Sequence, residues 1–124
     1  MKYLLLSIFL ISCNSADIIN QSSQLEFLKA HNKYYDLKYD VALEHHSRSW
    51  ADHLADRCSD VIYSQGSGYK ENIAVSWGVR RKSFHDIILE WEIDSNAKWV
   101  GCSAVMCEQP YTRAVAWFYV CNYK

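Results

Sequence analysis

A chain of 124 residues has room for one domain and no second. Half of its residues are apolar and 15% are aromatic, enough for a core, although a domain this small gains from covalent staples. Lys and Arg total 13 against 14 Asp and Glu, and no basic patch carries interleaved aromatics, which argues against nucleic acid as a partner.

The N-terminus reads as a secretory signal peptide over residues 1–16. Lys2 is the positive start, Leu4 to Ile11 the short apolar run, and Ser12, Asn14, Ser15 and Ala16 the small or polar end. The run is too short to span a bilayer as a mature helix, so no transmembrane segment is expected in the mature chain. Leu10-Ile11-Ser12-Cys13 also fits a bacterial lipobox, in which Cys13 would be lipidated and would anchor the protein to a bacterial envelope. Plain secretion is the preferred expectation, with residues 17–124 as a single domain. Asn20-Gln21-Ser22 is a glycosylation sequon if the source is eukaryotic.

Ser23 with Glu26 forms a capping box, predicting a helix from near Gln24 with Leu25, Leu28, His31 and Asn32 on one face. His31 reads as a structural hydrogen-bonding residue at its inner end. Asp40 is the expected cap of a second helix whose stripe is Leu43, Ser47, Trp50 and Leu54. His45, His46 and His53 fall largely off that stripe and read as solvated.

The segment from Tyr63 to Ala74 has two glycines and two serines, then Glu71 and Asn72 side by side before the apolar run Ile73 to Trp77. Such a loop turns sharply and delivers a carboxylate and an amide to the lip of a core element. A third helix starts at Ser83 with Asp86 and carries Phe84, Ile88 and Trp91 inward. Trp99 to Cys107 and Ala114 to Tyr123 read as two strands of an antiparallel hairpin, apolar on both faces. Helices on both sides of a small antiparallel sheet follow, which makes the domain α+β. With Cys13 removed, Cys58, Cys102, Cys107 and Cys121 remain, an even count that reads as two disulfides with three possible pairings.

Five segments, taken in order, resemble the CAP superfamily of cysteine-rich secretory proteins, antigen 5 and pathogenesis-related proteins, also called SCP domains. They are Phe27-Leu28-Lys29-Ala30-His31-Asn32, Leu37-Lys38-Tyr39-Asp40 with Trp50-Ala51-Asp52-His53-Leu54-Ala55, Glu71-Asn72-Ile73-Ala74, Gly101-Cys102, and Val120-Cys121-Asn122-Tyr123. The resemblance implies a three-layer α-β-α sandwich, shortened here around Tyr35-Asp36. It also implies a cleft of two histidines and two acids, which this chain keeps only in degenerate form. Tyr63 stands in place of the first histidine, Glu71 is the first acid, Glu92 or Asp94 the second, and nothing between Asp94 and Trp99 matches the second histidine.

The function implied is that of a secreted, non-catalytic protein without cofactor or metal. It would act in defence or host interaction by binding a sterol, a fatty acid or an extracellular protein. The aromatic-rich faces carrying Trp77, Trp91, Trp117 and Phe118 would serve a lipid. Two alternatives are an acid-base or metal-assisted hydrolase using Glu71 with Asp94 or Glu92, and a lipid-anchored surface protein attached through Cys13. The expected disulfides are Cys107–Cys121 across the hairpin and Cys58–Cys102 between helix and sheet.

Overall fold

The structure is a computed structural model that describes residues 23–124 apart from Ser59, Val79 and Arg81. The expected signal peptide, the expected lipidation site Cys13 and the sequon at Asn20 all lie outside the described residues.

The chain is already helical at Ser23, and this helix, α1, runs over residues 23–32. Its inner face is Phe27, Ala30 and His31; Leu25, expected inside, is exposed. Asn32 then clamps the connection: its amide donates to the Leu37 carbonyl at 2.9 Å and accepts from the Leu37 N–H at 2.8 Å. A two-residue strand β1 (Lys38–Tyr39) leads into α2 (Val41–Arg57). Asp40 caps α2 as expected, accepting from the Leu43 N–H at 3.0 Å, and its carboxylate also pairs with the Lys124 ammonium at 2.9 Å. That ammonium, with the capped N–H groups, holds the Asp40 carboxyl below its ordinary range.

Beyond the glycine loop, Lys70–Trp77 form the strand β2, longer than the short buried segment the apolar run suggested. Helix α3 (Phe84–Leu89) is capped by Ser83, whose hydroxyl accepts from the Asp86 N–H at 3.3 Å. The helix ends before Trp91, which packs against the core from just past its end. Strands β3 (Trp99–Glu108) and β4 (Val115–Tyr123) complete the hairpin.

The sheet order is β1-β3-β4-β2, antiparallel except for the parallel β1–β3 pair. Side chains alternate across it. Val100, Cys102, Tyr119, Cys121 and Tyr123 face α1 and α3 and pack with Phe27, Phe84, Ile87 and Ile88. Ile73, Cys107, Ala116, Phe118 and Val120 face α2 and pack with Ala51, Leu54 and Cys58. Two apolar sheet faces therefore give two cores and an α-β-α sandwich, the architecture expected of the sequence.

The disulfide pairing differs from expectation. The bonds are Cys58–Cys107 and Cys102–Cys121. Register decides it: Cys102 stands directly opposite Cys121, with 4.1 Å between Cα atoms, while Cys107 stands opposite Ala116. Cys121 is an odd number of residues beyond Ala116, so Cys107 and Cys121 project from opposite faces of the sheet and cannot meet. Cys107 instead reaches Cys58 at the end of α2, and each staple lies in its own core.

Helix α2 meets the sheet at Gly101. A Cβ there would lie 2.2 Å from the Glu44 nitrogen, 2.5 Å from the Leu43 carbonyl carbon and 2.6 Å from the Asp40 oxygen, all backbone atoms. Ser47 fixes the contact by donating to the Gly101 carbonyl at 2.8 Å, and Asn122 on β4 donates to the Ser47 hydroxyl at 2.9 Å. Gly101→Ala must push the first turn of α2 off β3 and is expected to lower stability by about 3 kcal/mol, read as a lower urea midpoint; an unchanged midpoint would disprove the close approach.

Candidate functional site

Glu71 and Asn72 are adjacent on β2, so the pleat sends them to opposite faces of the sheet. Glu71 is in register with Asn122, and Asn122 with Gly101, which places its side chain on the α2 side. Asn72 is in register with Cys121, on the side of α1 and α3.

The Glu71 carboxylate is only 6% exposed, and donors surround it. The Ser64 N–H donates to Oε1 at 2.8 Å, and the Ser64 hydroxyl to Oε2 at 2.7 Å. His46 of α2 lies behind them, its Nε2 at 3.3 Å from the Ser64 hydroxyl and 3.8 Å from Oε2. Because the serine proton goes to the carboxylate, His46 Nε2 is the donor to the serine oxygen. His46 is thus part of the site and not solvated as expected, and its ring meets that of Tyr69 edge-on at 5.6 Å.

Between Ser64 and Glu71 the chain turns through Gly66 and Gly68, both at positive φ (74° and 78°), where a β-carbon would be strained. The carboxylate closes this turn by holding its first residue. Serine, histidine and a carboxylate are together, but in the wrong order for nucleophilic catalysis. A triad needs the imidazole between hydroxyl and carboxylate, so that it can take the serine proton. Here the hydroxyl sits between them and gives its proton directly to the acid.

On the other face a second network links three elements. His31 is fully buried; its Nδ1–H donates to the Phe27 carbonyl at 2.8 Å, and its Nε2 accepts from the Tyr123 hydroxyl at 2.8 Å. The Asn72 amide, beside that same hydroxyl, donates to the Glu92 carbonyl at 3.1 Å. Burial pushes the Tyr123 phenol above its ordinary range and lowers the His31 imidazolium, so both stay neutral. His31 thus sits buried at the inner side of α1, and Asn32 and Asn72 donate to backbone carbonyls.

An open cleft of about 320 Å³ lies at the start of β2, lined by Lys70, Glu71, Asn72, Glu92, Ile93, Asp94 and Tyr123. Three of the four expected cleft residues border it, namely Glu71, Glu92 and Asp94. Tyr63, the fourth, is exposed in the preceding loop and is not among the lining residues. The acids are not equivalent. Glu71 turns its carboxylate away toward Ser64, whereas Asp94 accepts from the Asn96 N–H at 2.9 Å and orders its own turn. No histidine lines the cleft.

A smaller, mostly apolar groove of about 290 Å³ lies between α1 and β1, lined by Gln24, Leu25, Leu28 and Tyr39. The aromatics expected to serve a lipid do not line either space. Phe118 is buried against α2, Trp91 and Trp117 pack on the opposite face, and Trp77 is exposed at the end of β2. They are core and edge residues, because alternation along the strands divides them between faces.

Sequence reasoning missed Ser64 and His46 as partners of Glu71. The available signal was the serine seven residues before the acid across a glycine turn; nothing local brings in a residue from α2. No family model matches the chain, and no curated protein matches it. Among solved structures it is similar to the crystal structure of MpPR-1i, with 19% identity, coverage of 84% of this chain and 87% of that one, and a TM-score of 0.49. At that identity and score no residue's role passes from one to the other.

Two outcomes are expected. Glu71→Gln loses the charge in two short hydrogen bonds and should cost about 2 kcal/mol, with faster exchange of the Ser64 amide; unchanged exchange would show that the turn does not depend on the acid. The His31 pKa is lowered on folding, so between its native value and about 6.5 the unfolded chain binds the extra proton. Stability contributed by neutral His31 is therefore complete above that window and falls as pH drops through it. The slope approaches ~1.4 kcal/mol per pH unit and should vanish in His31→Gln.

Proposed function

We propose that this is an exported CAP-like domain that acts by binding and not by catalysis. The observation that carries the proposal is the commitment of Glu71. Its carboxylate is held by the Ser64 N–H and hydroxyl and faces α2, away from the side on which Asn72 meets Glu92. A general base needs a lone pair within reach of substrate, and the acid retained from the family's cleft is buried, with both oxygens turned to the Ser64 turn. The five ordered motifs support the family reading, and the two disulfides suit an oxidising, extracellular setting. Among the described residues no helix is long and apolar enough to cross a membrane.

The ligand class is a sterol or fatty acid, and its place is the groove of Gln24, Leu25, Leu28 and Tyr39. Leu25 supports this choice: it is a large apolar side chain left exposed at the groove although α1 has a buried face available. The polar cleft beside Glu92 and Asp94 is the wrong chemistry for a lipid tail and suits a contact with an extracellular protein. Lipidation at Cys13 would place the same domain on a bacterial envelope instead of in solution, and the mass of the mature N-terminus distinguishes the two.

Purified mature protein should bind a fluorescent sterol or fatty acid saturably, and Leu25→Asp, a change at an exposed groove residue that the fold tolerates, should abolish it. Absence of saturable binding by the wild-type chain would remove the lipid reading. Hydrolysis lost in Glu71→Gln at unchanged stability would restore the enzyme reading.

A further inference from the structure

The cross-strand disulfide Cys102–Cys121 does not stand alone. His31 reaches it from α1, and the two sulfurs and a ring nitrogen lie within 4.8 Å of one another, all three residues buried. From this juxtaposition we propose that Cys102, Cys121 and His31 form a redox-gated site for a soft divalent metal such as zinc. The site is closed as a disulfide in the oxidised chain and open as two thiolates and an imidazole in the reduced one.

The imidazole is prepared for the role. His31 donates Nδ1–H to the Phe27 carbonyl, which fixes the tautomer and makes Nε2 the acceptor, a lone pair now held only by the Tyr123 hydroxyl. A backbone carbonyl on the far nitrogen is the usual outer support of a metal-bound histidine. The Tyr123 hydroxyl, which donates to Nε2 at 2.8 Å, stands where it must turn aside and where it can offer an oxygen as a fourth ligand. A tetrahedral zinc with bonds of about 2.3 Å to sulfur and about 2.0 Å to nitrogen needs ligand atoms about 3.5–3.8 Å apart. The ring nitrogen lies within 4.8 Å of both sulfurs and must close by about 1 Å, and the sulfurs, once unbonded, separate by rotation about the side-chain bonds of two residues whose Cα atoms are fixed by the hairpin.

The chemistry balances with a dithiol as reductant. Two electrons and two protons pass from the dithiol, which becomes a disulfide, to the Cys102–Cys121 bond, leaving two thiols. Metal binding then releases both thiol protons and needs no proton from His31, which is already neutral. Cys58–Cys107 lies across the sheet with no histidine in its cluster of described residues and serves as the internal control.

The test is cobalt titration of the reduced chain under argon. One equivalent should give the thiolate-to-cobalt charge-transfer absorption, absent from the oxidised chain. His31→Gln should weaken binding at least tenfold, and Cys58→Ser with Cys107→Ser should leave it within threefold. No absorption, or equal affinity in wild type and His31→Gln, overturns the proposal; equal affinity includes the case in which reduction unfolds the chain and free thiols bind indiscriminately. If His31→Gln does not fold, zinc must raise the Tm of the reduced wild type and not that of Cys102→Ala with Cys121→Ala. A shift in both, or in neither, overturns it equally.

Discussion

Helix α2 rests on the sheet because residue 101 has no side chain. With backbone atoms of Asp40, Leu43 and Glu44 within 2.6 Å of where a β-carbon would stand, the first turn of the helix lies directly against β3. Ser47 and Asn122 seal that contact with hydrogen bonds reaching from helix to β3 and from β4 to helix. The same first turn is capped by Asp40, whose N–H donates to the Val100 carbonyl and whose carboxylate holds Lys124 past the end of β4. One absent methyl group thus lets a capped helix, a parallel edge strand and the end of the chain share a corner. His46, one residue before Ser47, reaches Glu71 because that corner fixes the rotation of α2.

The pleat then sorts the functional residues. Glu71 and Asn72 look like a single motif in the text, but they serve different layers. The acid ties the glycine turn to α2, and the amide ties Tyr123 and the segment after α3 to the other core. What the sequence presents as a pocket is, in three dimensions, two hydrogen-bond networks on opposite sides of a strand, with an open polar cleft at its beginning.

Local chemistry was legible in the sequence, and distant partnership was not. The caps at Asp40 and Ser83 could be read because the donor and acceptor lie three residues apart. The apolar character of both sheet faces foretold layers of helix on each side. The strand β2 was harder, since Lys70, Glu71 and Asn72 are polar and join the ladder only through β4. The cysteine pairing depended on hairpin register, a long-range property fixed by the turn at Gln109 to Ala114. His46 read as solvated because an exposed-looking position on a helix gives no hint that a loop will fold over it.

The bond between Cys58 and Cys107 spans 49 residues of sequence, and in the chain-entropy account closing a loop of that size stabilises by about 4 kcal/mol. Inside that loop lies the exposed turn of Gln65 to Tyr69, polar, glycine-rich and the kind of place where proteases cut. A scission there would leave the two fragments covalently joined, the first carrying Cys58 and the second Cys107. The molecule would tolerate such a nick without coming apart.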